Sequence, residues 1–233
     1  MDKDWAEKNK EIQKLIAKEA TFNEAIDKLI AFREEMFGQI TSIVEGYPEE
    51  TFYQMPFAKA TGYHSKTLPY SIWHIYRIED IVAHEIIMED EQVLFKKDYL
   101  KKTASPIITT GNELEGEEIA EFSKMLNVKE LYLYANAVKD SGNEFLKKLS
   151  YKDLKRKFTD ETKKKLVKTK CVSTVENAVW LIDYWCNKDI KGLILMPFSR
   201  HWIMHIEAMR RIKDKLDNTQ KGELNLFKKD VDK

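Results

Sequence analysis

Apolar residues recur along this chain at three- and four-residue spacings, the period of helices that bury one face. The first such run, Trp5 to Lys18, puts Trp5, Ile12, Leu15 and Ile16 on one side and predicts a short amphipathic helix. Thr21 followed by Glu24 has the spacing of a capping box and opens a longer helix reaching about Val44. Its core side is Ile26, Leu29, Ile30, Phe32, Met36, Phe37 and Ile40, and Gly46, Tyr47 and Pro48 close it. Between Glu49 and Pro69 the period disappears. Phe52, Tyr53, Phe57, Tyr63 and the adjoining Tyr70 make this connection too aromatic for disorder, so it either roofs a pocket or crosses over a bundle edge.

The helical period returns from Ser71 to Glu91. At about 100° per residue, Ile75, Ile78, Val82 and Ile86 form one stripe. His74 flanks that stripe and is expected to face the interior. His84 falls on the opposite side and is expected to face water. Periodicity lapses from Phe95 to Gly116, most clearly in SPIITTGNELEG, and a short helix follows from Glu117 to Leu126. Asn127, three residues ahead of Glu130, caps a helix that turns Leu131, Tyr134, Ala135, Val138, Phe145 and Leu149 inward. Ser150 and Asp153 start a brief turn, and Thr159 to Lys170 reads as a basic, solvated helix. Ser173 with Glu176 caps a further helix, apolar on Val179, Trp180, Ile182 and Trp185 and broken at Gly192. The last helix starts near Pro197, buries Met209, Ile212 and Leu216, and leaves 218–233 as a polar tail.

Few glycines (8) and prolines (5), with helical spacing throughout, place the chain in the all-α class. Its 233 residues contain no linker-like segment, which predicts one domain: a core over about 21–217 with 1–20 as an accessory helix. Lysine plus arginine equals aspartate plus glutamate at 39 each, so no excess charge points to nucleic acid. No apolar run approaches the roughly 20 residues that span a bilayer, and the start MDKDWAEKNKEIQKL lacks the apolar segment of a secretory signal. Cys171 and Cys186 have no metal-type spacing. A reduced, cytoplasmic setting is expected.

Candidate chemistry concentrates in PFSRHWIMHIEAMRRIKDKL, Pro197 to Leu216. His201 and His205 are four residues apart and share a face with Met209, Ile212 and Leu216. An unpaired imidazole on a buried stripe costs desolvation energy. His201 is also expected near its helix start, where the dipole favours the neutral, ligand-ready ring. His74, inward on another helix, supplies a third donor. Three neutral imidazoles leave coordination positions open, as in catalytic rather than closed structural sites. Zinc is the default ion, and nickel, iron and manganese accept the same donors. Such a dication eases ionisation of a water or thiol at the open position. Trp202 follows His201, so there is no HExxH motif and a metalloprotease is disfavoured. Glu207 and Glu85 are the nearest candidate supporting acids, without a spacing that compels either.

SIWHIYRIED, TTGNELEGEEIAEFSKML, LYLYANAV and MPFSRHWIMHIEAMRRIK occur in that order and extend a resemblance over Thr21 to Leu216. In these segments the chain resembles the DinB/YfiT-like metalloenzyme superfamily, whose branches include bacillithiol transferases and mycothiol-dependent maleylpyruvate isomerases. The resemblance implies an up-and-down four-helix bundle with a crossover connection, commonly a homodimer. It implies a metal held by His74, His201 and His205, and transfer of a low-molecular-weight thiol to a small electrophile. A metal-dependent hydrolase, or a non-catalytic bundle that binds a ligand or partner, would fit the same frame. No motif assigns catalytic residues beyond the metal. The helix before Thr21, the aromatic connection and the lysine-rich segment near 160–170 depart from the family's pattern.

Overall fold

A computed structural model of the chain describes residues 2–231, the side chains of Glu49 and of 220–231 excepted. Among the described residues the regular structure is helical throughout, and no described helix is long and apolar enough to cross a membrane. Helix α1 (Lys3–Leu15) is capped by the Asp2 carboxylate, which accepts from the amides of Asp4 and Trp5. It lays Trp5 and Ile12 against α2 (Phe22–Val44). Thr21 does precede α2, but the expected capping box is absent: its hydroxyl turns back to the Leu15 carbonyl at 2.7 Å. After the connection comes α3 (Leu68–Asp80), capped by Thr67, which runs on through wider π turns over Ile81–Met88. Then follow α4 (Glu117–Met125), α5 (Val128–Lys148, capped by Asn127), α6 (Asp160–Thr169) and α7 (Glu176–Cys186). A π turn over Met196–Arg200 leads into α8 (His201–Val231). Residues 232–233, the end of the expected polar tail, lie outside the described residues; the rest of that tail continues α8.

Packing among α2, α3, α5 and α8 closes on itself, because α3 lies against α5 and α8, and α2 lies against the same two. Helix α3 is the element the others wrap: every residue from Leu68 to Ile87 is buried. That overturns the expected surface placement of His84, which is 4% exposed. Two causes act together. The π turns rotate each residue by less than the α-helical angle, and no side of this helix faces water. Its polar side chains must therefore find partners inside, and His84 contacts Asp90 at 2.6 Å through Nδ1 and Ser141 at 3.0 Å through Nε2.

One of these partnerships joins Arg33 of α2 to Glu79 of α3, both side chains fully inaccessible. The guanidinium meets the carboxylate at 2.6 and 2.8 Å, Asn143 Oδ1 at 2.7 Å, and the carbonyls of Phe198 and Lys139 at 3.0 and 3.3 Å. Its five N–H groups thus have five bonds. Gly142 on α5 makes room for the pair, since a Cβ there would run into the Glu79 carboxylate.

Helix α7 departs from expectation in its facing. Ala178, Leu181, Ile182, Trp185 and Cys186 are buried, whereas Val179 and Trp180 are 39% and 49% exposed. Its run AVWLIDYWC is apolar nearly all round, so docking rather than period decides which stripe is covered. Val175, not Ser173, precedes the first turn, without a side-chain cap. Gly192 does not end a helix. It lies inside the short helix Ile190–Ile194, its amide donating to Asp189 Oδ1 at 2.8 Å. The Phe95–Gly116 stretch, expected to be aperiodic, begins inside the single turn Val93–Lys96 and holds a second, Tyr99–Lys102, before its loop.

Candidate metal centre

His74 projects from the middle of α3 and His201 and His205 from the first turns of α8, where these two helices pack together. One ligand atom from each ring lies within 4.8 Å of the others. Ring centroids are 4.5 to 5.1 Å apart, and the Nε2 atoms of His74 and His201 are separated by 3.3 Å. All three side chains are buried. The structure therefore brings together the trio that spacing selected. Glu85 and Glu207 do not join it: Glu85 accepts from Gln92 at 2.7 Å and faces Lys165, and Glu207 accepts from the Asp2 amide.

The surrounding loop holds His74 through backbone atoms. Four side chains spaced along α3 each donate to one carbonyl of the loop segment 108–111. Arg77 takes Ile108 at 2.8 Å, Trp73 takes Thr109 at 3.0 Å, His74 takes Thr110 at 2.9 Å and Tyr70 takes Gly111 at 2.9 Å. Because Thr110 offers only a carbonyl oxygen, His74 Nδ1 carries the proton and its Nε2 presents a lone pair to the cluster. This is the outer partner that orients metal-ligating imidazoles. Gly111, at φ +79°, brings the loop over Tyr70, whose ring lies 3.1 Å from where a Cβ would stand. The Tyr70 ring in turn stacks on His74, centroids 5.7 Å apart and nearly parallel.

Burial is the dominant cause that holds these rings neutral. It pulls His74 down to about 4, with the Lys66 charge adding to the effect against the Thr110 bond. Desolvation likewise pushes His201 and His205 well below the ordinary histidine range. The expected helix-dipole contribution at His201 is not available, because the helical turns over Ile190–Ile194 and Met196–Arg200 precede it and the dipole's effect fades beyond the first turn. In the metal-free protein the folded chain thus binds fewer protons than the unfolded chain from about pH 6.5 down to about 4. Stability is then lost as pH falls through this window, by about 2 kcal/mol for His74 alone at pH 5. The expected result is a urea midpoint that drops between pH 7 and pH 5 in chelator-treated protein, with a shallower drop in His201→Ala. A midpoint unchanged over that range contradicts it.

A cavity of about 260 Å³ opens beside His74 and His201. Trp180, Leu181, Tyr184 and Trp185 of α7 form one wall, with Met196 and Pro197 adjoining; Tyr63 and Asn112 supply the other polar groups. Tyr63 comes from the aromatic connection and meets the His205 ring edge-on at 4.8 Å, so that segment does cover the site. Sequence reasoning missed the Thr110 carbonyl, Asn112 and the α7 wall; the TTG turn ahead of α4 is the one local signal for the first two.

Half-buried Ser141, buried His84 and exposed Asp90 have the order of a hydrolytic triad, with contacts of 3.0 and 2.6 Å. Ser141 lies in the middle of α5, where the neighbouring amides are committed to the helix ladder. No amide pair is left to hold an oxyanion. The His trio is the better-founded site.

No model of a known protein family and no curated protein matches this chain.

Proposed function

We propose that the chain is a metal-dependent enzyme on an up-and-down four-helix bundle of the DinB/YfiT-like kind, joining a low-molecular-weight thiol to a small electrophile. His74, His201 and His205 would hold a divalent ion, zinc first, with nickel, iron and manganese compatible with the same donors. The observation that carries this reading is the set of stranded nitrogens. His201 Nδ1 and both nitrogens of His205 are buried without a hydrogen-bond partner, a costly arrangement for polar atoms that a shared cation, taking one nitrogen of each ring, relieves in part. Such an ion, when bound, lowers the pKa of a thiol or water beside it.

The protein's own groups divide the remaining work. The Thr110 carbonyl fixes the His74 tautomer. Tyr70 and Tyr63 pack against His74 and His205 and restrict ring rotation. The α7 wall keeps the approach apolar. A hydrolase would use the same donors, but among the described residues no carboxylate lines the cavity to activate a water, which favours the thiol reading. The proposed setting is a cytoplasmic homodimer, with no nucleic acid or membrane partner.

The test begins with metal content. Purified protein is expected to hold, or take up, one zinc or nickel per chain, and to speed conjugation of small thiols to a chromogenic chloronitrobenzene until a chelator is added. Absence of equimolar uptake overturns the proposal. Uptake without conjugation across a panel of thiols moves the protein to the non-catalytic binding class.

A further inference from the structure

Lys66 stands next to the histidine cluster without a counter-ion. It is half-buried, and among the described residues its ammonium has neither a hydrogen bond nor an ion pair. It rests over the Tyr70 ring at 5.0 Å, the same ring that stacks on His74. Glu115 acts on it only from a distance, and that carboxylate is bonded to Asn177 at 2.7 Å. A partly desolvated ammonium is costly unless paired, and the aromatic face below it offsets only part of that cost.

Among the described residues no acid bonds this charge or lines the cavity; Glu113, whose carboxylate acts on Tyr70, accepts from the Thr109 hydroxyl. The three candidate ligands are neutral rings, and Tyr63, Asn112, two imidazoles and apolar side chains line the cavity. Its volume of about 260 Å³ lies just below the range of pockets for drug-sized molecules. It suits a single ring packed among Trp180, Tyr184 and Trp185. A bound dication would raise the positive charge further and leave the negative partner to be supplied by the ligand.

We propose that Lys66 is a specificity-determining residue, and that the site takes a small aromatic carboxylate whose ring enters the cavity and whose carboxylate pairs with this lysine. The inference rests on the metal-site reading for its setting, yet the lysine's part in it is present with or without the ion. Exchange of Lys66 for methionine keeps an unbranched apolar side chain at this position and removes the charge.

Ligand-observed NMR titrations with benzoate and its neutral counterpart benzamide test this, on metal-free and on zinc-loaded protein. Benzoate is expected to bind at least tenfold more tightly than benzamide in both states. Lys66→Met should abolish the preference in metal-free protein and cut it about tenfold with zinc, while Lys66→Arg keeps most of it. Zinc stoichiometry, measured separately, is expected to be the same in all three proteins. Equal binding of benzoate and benzamide overturns the proposal. So does a preference that survives Lys66→Met unchanged, because the ion alone would then select the anion. Failure of the metal reading shows up differently, as absent zinc uptake, and leaves the metal-free comparison to decide the role of Lys66.

Discussion

Zinc affinity is expected to fall by more than about 100-fold in His205→Ala, since loss of a mere outer partner of a metal ligand costs about 10- to 100-fold. The remaining pair, His74 and His201, belongs to two different helices with Nε2 atoms 3.3 Å apart. Competition against a chromogenic chelator measures this directly. Thermal unfolding gives a second view. A ligand at 100 times its dissociation constant stabilises the folded state by about 2.7 kcal/mol, so zinc should raise the melting temperature of the native sequence and leave the variant nearly unmoved. Without zinc the substitution has two opposed effects. It opens a cavity, at about 2–5 kcal/mol for a large buried side chain, and it removes two stranded ring nitrogens that cost about 1–3 kcal/mol each. These nearly cancel, so the metal-free variant should melt close to the metal-free native protein. A variant that binds zinc within threefold of the native sequence would remove His205 from the site.

The trio was legible because the α-helical period holds through the first half of α3 and from the start of α8, where the three histidines lie. His84 lies where that period fails. The π turns over Ile81–Met88 leave no mark in hydrophobic spacing, and the burial of α3 on all sides depends on elements distant in sequence. The α7 wall was misjudged for a related reason. An almost uniformly apolar helix has no unique inward face until it docks, and Trp180 ends half-exposed at the cavity mouth. Thr110 acts through its backbone oxygen, and a carbonyl has no residue signature. Arg33 and Glu79, by contrast, had a readable signal. Arg33 follows Ile26 and Leu29 by seven and four residues, and Glu79 follows Ile75 by four, so each is a charge placed on a core stripe. Spacing announces that such a residue must find a partner, though not that the two find each other 46 residues apart.

Arg33→Met is expected to destabilise the fold by about 3–5 kcal/mol, the typical cost of leaving one member of a buried pair uncompensated. The sign of its pH dependence follows from Glu79. Burial already raises the affinity of this carboxyl for its proton, against the opposing pull of Arg33. Without the guanidinium, burial acts alone and the folded-state pKa rises further above the unfolded value. A group raised in this way favours folding below the unfolded pKa and loses that contribution as pH climbs through the folded one. The deficit relative to the native sequence should therefore be larger at pH 8 than at pH 5, as read from urea unfolding of both proteins at each pH. Arg33→Met with Glu79→Leu should recover most of the loss, because apolar replacement of a whole buried pair is often neutral or stabilising. The metal centre is coupled to the same pair. Arg33 donates to the Phe198 carbonyl in the turn that leads into α8, and its guanidinium lies 4.4 Å from the ring of Trp202, between the two α8 histidines in sequence. The single variant should thus bind zinc more weakly although it touches no candidate ligand. An equal deficit at pH 5 and pH 8, with no recovery in the double variant, would mean that Arg33 contributes packing alone and that the charge of Glu79 plays no part beneath the site.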